Sequence, residues 1–186
     1  MKDILARYAR SDEGKVIIDV YTDRPEDLYN DFDKRAPYMK KDLEPEFVDY
    51  LIGCAREIGS HPFMIRVNLP AQPSEEAASR IKTSIPSYFT YLRQVEEGDM
   101  RKVLRTSATL LIIGLAILVV SIWAHQRFLP PESLPGRVMA EGLTVAAWVS
   151  LWEALATFLI QWPPHNKELK LYNRLGEAPV EFQHLT

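Results

Sequence analysis

The chain has 186 residues, 47% of them hydrophobic and 25% charged, with a formal net charge of −3 and a single cysteine. That length leaves room for one ordinary domain and something more. The charge balance offers no strongly basic face for nucleic acid, and the lone Cys54 excludes an intrachain disulfide.

Residues 1–100 read as a small soluble α/β domain. The start, MKDILARYARSDEGK, carries charges throughout and has no apolar run of the kind a secretory signal needs. ILARYAR and KVIIDVYT flank the turn-rich SDEG, which predicts a β-hairpin. RPEDLYNDFDKRAPYMKKD is polar and Pro-containing, so it is expected to be irregular apart from a helical turn or two around Pro25–Tyr29. In EPEFVDYLIGCAREIG the residues Phe47, Leu51, Cys54, Ala55 and Ile58 fall at helical spacing, with Pro45 early and Gly59 as a stop.

HPFMIRVNLP then alternates, with Phe63, Ile65, Val67 and Leu69 on one face and Met64, Arg66 and Asn68 on the other, the pattern of a half-buried strand. A long amphipathic helix follows from an N-cap at Ser74, lined by Ile81, Ile85, Phe89 or Tyr88, Leu92 and Val95. Pro86 lacks an N–H and clashes with the preceding turn, so a kink or break is expected near Thr83, and Gly98 offers a joint. The expected fold class is α+β: about three strands covered by two helices, followed by a two-helix transmembrane hairpin.

The hairpin rests on two apolar runs. Thr106–Ala124 contains no charge, and Val138–Trp162 is interrupted only by Glu141 and Glu153. About twenty apolar residues, rising about 1.5 Å each, cross a hydrocarbon core of about 30 Å. The expected organisation is therefore a cytoplasmic domain over 1–100, a hairpin over 101–162 and a cytoplasmic tail over 163–186. The spans would cover 106–124 and 138–160, joined by a short external loop over 125–137. Arg93, Arg101, Lys102 and Arg105 precede the first span, Lys167, Lys170 and Arg174 follow the second, and the loop holds only Arg127 and Arg137. That asymmetry predicts a multi-pass protein of the cytoplasmic membrane with both termini inside. In the tail, HNKELKLYNRLGEAP predicts a short basic helix ended by Gly176. VEFQHL alternates like a strand that places Val180 and Phe182 on the core if it joins the sheet edge.

Three stretches carry a resemblance: NDFDKRAPYMKKDLEPE, then HPFMIRVNLP before a long helix, then AAWVSLWEALATFLIQWPP before a basic helix and VEF. In this order, and over most of the chain, the sequence resembles a family of small prokaryotic two-span membrane proteins with an N-terminal cytoplasmic α/β domain. The resemblance implies the fold and no activity. In the family pattern Trp152 is followed by Arg-Pro, with a Glu three residues after that Arg. Here Glu153, Ala154 and Ala156 hold those positions, so Glu153 is a feature of this chain.

Within the second span, Gly142, Ala146, Ser150 and Ala154 recur every fourth residue, and on the first span Ser107, Gly114 and Ser121 recur every seventh. Small residues let membrane helices approach closely, so both stripes are candidate packing faces, within the hairpin or between copies. Glu153 is a candidate intramembrane acid; a carboxylate at the bilayer centre costs roughly 2.5–3.5 kcal/mol on insertion scales. Two outcomes follow. The helix ends near Trp152 with ALATFLIQW along the membrane surface, or Glu153 lines an ion or proton path in an oligomer. Trp148, Trp152 and Trp162 are candidate interface anchors.

Nothing in the sequence announces catalysis. His61, His125, His165 and His184 are scattered without zinc spacing, the acids between Asp23 and Asp49 lack a calcium-loop pattern, and no phosphate-binding glycine loop occurs. No cofactor and no metal is expected. The expected role is non-catalytic, a membrane assembly or scaffolding protein whose partners are lipids, other copies of itself and possible membrane proteins. Two alternatives differ in class: an oligomeric channel or transporter with Glu153 near the pore, and a membrane-anchored ligand sensor.

Overall fold

The computed structural model describes residues 4–30, 42–127 and 134–184. The expectations placed on 31–41, including Asp31, Asp33 and the basic residues Lys34, Arg35, Lys40 and Lys41, lie outside these residues, as do positions 128–133 of the loop expected over 125–137, whose flanks 125–127 and 134–137 are helical. The chain divides into two compact units, one made of residues 1–95 and 168–186 and the other of 96–167.

The first unit is built on a three-stranded sheet in the order β1 (Val16–Tyr21), β2 (Phe63–Leu69), β3 (Val180–His184). Both pairings are parallel, with Ile18 opposite Ile65 and Ile65 opposite Val180. Parallel neighbours cannot be joined by a tight turn and need a crossover. Between β1 and β2 the crossover is helix α1 (Pro45–Ile58). Between β2 and β3 it is the pair α2 (Glu75–Arg127) and α3 (Leu134–Glu177), which carries the whole second unit.

Alternation decides which face is covered. Val16, Ile18 and Val20 of β1, Phe63, Ile65, Val67 and Leu69 of β2, and Val180 of β3 form one buried face. Against it lie Phe47, Leu51, Ala55 and Ile58 of α1, then Ile81, Ile85 and Phe89 from the start of α2 and Leu171 and Leu175 from the end of α3. Three helical segments therefore cover the sheet rather than two. Val95, expected on the buried stripe of α2, is 46% exposed.

Further expectations are revised by this packing. ILARYAR does not form a hairpin strand: Ile4–Arg7 is a 3-10 turn, and only Arg10 bridges to Val16. Leu5 and Tyr8, three residues apart, both pack on the core, a helical spacing incompatible with period-two alternation. The turn at SDEG does form, with Gly14 at φ +78° and its N–H donating to the Ser11 carbonyl at 2.8 Å. β2 is buried on both faces rather than one, since Met64 and Asn68 are also covered, as expected of a central parallel strand.

Pro86 does not break α2, and Pro163 and Pro164 do not break α3. The N-cap at Ser74 is as expected, its Oγ accepting the Ala77 N–H at 3.2 Å. Gly59 ends α1 at φ +65°. Gly176 is the last but one residue of α3, close to the expected end, and an added Cβ there would sit 3.6 Å from the Pro86 carbonyl oxygen and 3.7 Å from Phe89 Cβ. It is the close approach of α3 to α2 that uses this glycine.

Phe89 is fully buried and Tyr91 is 56% exposed on the same helix. Phe89→Ala should destabilise the sheet unit by about 3–5 kcal/mol, accelerating hydrogen exchange at β2 amides by about two to four orders of magnitude. Tyr91→Ala should change it less than about twofold.

Candidate functional site on the helical hairpin

The second unit consists of the later part of α2 and the earlier part of α3. Both helices are long and apolar enough to cross a membrane, and only 11% and 17% of their most apolar windows are buried within the chain. Core helices of soluble proteins would be mostly covered. Here Ile112, Val119, Trp123, Val145 and Ile160 all point outward.

The face that the two helices share is narrow and built from small residues. Ser107, Gly114 and Ser121 of α2 are buried, as are Ala147, Ala154 and Thr157 of α3. A Cβ added at Gly114 would lie 3.0 Å from the Leu151 side chain and 3.1 Å from its backbone nitrogen. Further along, Ser121 Oγ and Thr144 Oγ1 are 3.4 Å apart. At the open end of the hairpin His165 Nδ1 lies 2.5 Å from Glu96 Oε1, both side chains being largely covered.

The four-residue ladder on α3 is divided by this geometry. Ala154 is buried and Ser150 half-buried, but Gly142 and Ala146 are exposed, and a Cβ at Gly142 would meet nothing within 4 Å. The reason is helical drift. At about 100° per residue a four-residue repeat rotates about 40° per step, whereas a seven-residue repeat rotates only about 20° and stays on a neighbouring helix. The buried residues Ala147 and Ala154 keep the seven-residue repeat.

Glu153 faces away from the seam and is exposed. Gly142, Ala146, Val149 and Glu153, spaced four, three and four apart, share one outward stripe of α3. Glu153 lies roughly 18 Å along the axis from Glu141 and about 15 Å from Pro163, well inside the apolar run. The helix does not end near Trp152: α3 runs unbroken to Glu177, with Ala154 and Thr157 in the seam and His165 on Glu96. Trp148 and Trp152 are 65% and 70% exposed in the middle of the run, while Trp162, at its end, stacks on Phe158 at 5.8 Å.

Polar groups of the first unit are arranged differently. Asp19 of β1 accepts from Arg66 Nε at 2.6 Å and from a second guanidinium nitrogen at 2.9 Å, and Asn68 Nδ2 adds a bond at 3.1 Å. Burial acts to raise the Asp19 pKa, but the Arg66 and Asn68 hydrogen bonds outweigh it and hold the carboxyl below its ordinary value. Cys54 is packed in the core. Among the described residues no three His, Cys, Asp or Glu side chains converge on a point that would hold a metal.

No protein-family model matches the chain. No curated protein and no solved structure matches it.

Two outcomes test this geometry. In a Cys54→Ser background, Ser121→Cys with Thr144→Cys should form a disulfide under mild oxidation, seen by electrophoretic mobility. Adding Gly114→Ile should abolish it and Gly142→Ile should not. For Asp19, the depressed folded pKa contributes stability above the unfolded value of about 3.9, lost as pH falls through the lower folded value. The stability gap between the native chain and Asp19→Asn, followed by hydrogen exchange of the sheet, should therefore be full at neutral pH and close below about pH 4.

Proposed function

We propose that this is a non-catalytic integral membrane protein that assembles with copies of itself through the outward stripe of α3. The observation that carries the reading is the position of Glu153: an acid deep in an apolar run, on the same stripe as Gly142 and Ala146, while the intramolecular seam is already filled by other residues. Facing lipid, that carboxylate costs roughly 2.5–3.5 kcal/mol with nothing to offset it. Against the same stripe of a second copy, small residues allow close backbone approach, and the two Glu153 side chains leave the lipid for each other.

Lipid contact is supported by the outward apolar side chains of both helices, and cytoplasmic termini by the cations flanking the open end of the hairpin. Homo-oligomeric scaffolding is favoured over a channel because two short spans enclose no pore by themselves.

Native mass measured in nanodiscs tests the proposal. The expected result is a closed homo-oligomer that Gly142→Ile and Glu153→Leu convert to monomer, with the 121–144 disulfide of the hairpin retained. A monomeric native chain, or a complex with a different protein, overturns it. Ion flux in liposomes that Glu153→Gln abolishes would replace the scaffold with a pore.

A further inference from the structure

The outward face of α2 carries a cation where its apolar run begins. Thr106–Ala124 is free of charge and rises about 28 Å at about 1.5 Å per residue, close to the thickness of a hydrocarbon core. Arg105 immediately precedes it and is exposed, as are Arg101 and Lys102 within one turn before it. On the reading of α2 and α3 as membrane spans, we propose that this face binds an anionic phospholipid. Its phosphate lies on Arg105, beside Arg101 and Lys102, and an acyl chain follows Ile112, Ala116 and Val119.

Charge decides the kind of headgroup. Lys102 Nζ is 2.7 Å from Asp99 and Arg101 is 3.8 Å from Glu97, so each of those cations already has an acid beside it. Arg105 does not. Its neighbours three and four residues away are Arg101, Lys102, Ala108 and Thr109, and it forms no ion pair among the described residues. A zwitterionic headgroup brings its own cation to its phosphate, whereas an anionic one brings the net charge that Arg105 lacks. The planar guanidinium also meets phosphate oxygens two at a time.

Depth is marked a second time, on the other helix. Gly114 faces Leu151 and Ser121 faces Thr144, so seven steps along α2 match seven along α3, and Arg105 stands level with Ile160. Pro163 and Pro164 carry no N–H, which deprives the carbonyls of Leu159 and Ile160 of the donor four residues ahead that a helix supplies. Such carbonyls are costly in hydrocarbon and are satisfied among headgroups and water. Both helices thus mark the level of Arg105 as the headgroup boundary.

Below the cation the same face offers an apolar track. Thr109 gives its hydroxyl to the Arg105 carbonyl at 2.8 Å and so adds no free donor there. Ile112 and Val119 are 66% and 65% exposed, with the small, exposed Ala116 between them. Steps of four and three residues keep all of them on the face of Arg105.

Native mass spectrometry of the full chain tests the proposal, after release from micelles holding equal amounts of phosphatidylglycerol and phosphatidylcholine with the same acyl chains. The first lipid retained should be phosphatidylglycerol, favoured at least about fivefold, the worth of one cation at an anionic membrane surface. Arg105→Gln should bring the ratio below about twofold. Arg105→Lys should keep most of it, Asp99→Asn should raise it by freeing Lys102, and Lys167→Gln, on the exposed side of α3, should leave it unchanged. Equal retention of the two lipids, an unchanged ratio in Arg105→Gln, or an equal fall in Lys167→Gln overturns the proposal. So does displacement of bound phosphatidylglycerol by inorganic phosphate, which would make this a site for a soluble anion. Retention of neither lipid overturns the membrane reading as well.

Discussion

Everything in this chain depends on the parallel pairing of β2 with β3. The Ile65 N–H donates to the Pro179 carbonyl at 2.9 Å, and Ile65 lies opposite Val180. Because parallel strands need a crossover, the chain must leave the sheet after Leu69 and return to it, and it does so through roughly 110 residues that include both apolar helices. Closing so long a loop costs only about 2 kcal/mol more than a minimal crossover of about twelve residues. Burial of Phe89, Ile85 and Leu175 on the sheet, at about 1.5–3 kcal/mol each, outweighs that cost. The polar sheet unit and the apolar hairpin are thus folded by a single topology, with both ends of the chain in one unit.

The hairpin obeys a different constraint. Without a hydrophobic incentive between apolar helices, contact depends on how closely backbones approach. Gly114 against Leu151 sets that approach, with no room for a larger side chain. Ser107, Gly114 and Ser121 were legible as one face because seven residues nearly complete two turns. The four-residue pattern on α3 was legible as a stripe but not as a place: Ser150 and Ala154 lie toward α2, and Gly142 and Ala146 lie away from it. A sequence states periodicity; which of two small-residue faces meets the neighbour is decided by the register of the hairpin, and register is a property of the pair. That separation leaves Glu153 outward, on the exposed stripe of α3 near the middle of the apolar run.

In the sheet unit, the helical spacing of α1 and the alternation of β2 identified the core positions directly, because each period maps onto one face. Two features escaped. The parallel direction of the strands has no local signature, so ILARYAR and KVIIDVYT suggested a hairpin where the chain makes a 3-10 turn. Pro86 signalled a kink or break, but a proline removes only one N–H, and α2 continues through it as α3 continues through Pro163 and Pro164. Of the acids between Asp23 and Asp49, Asp27 caps a local turn by accepting the Arg24 N–H.

We propose that the two helices cross a bilayer as a hairpin, so that positions 60 and 132 fall on opposite sides of it. The most direct test is labelling of single cysteines by a membrane-impermeant maleimide, in a Cys54→Ser background, with Ser60→Cys on the sheet unit and Glu132→Cys between the helices. Crossing predicts that intact cells label only position 132 and that inverted vesicles label only position 60. Labelling of both positions from the same side would show that the helices do not span, and the hairpin would have to be reassigned to a protein interface.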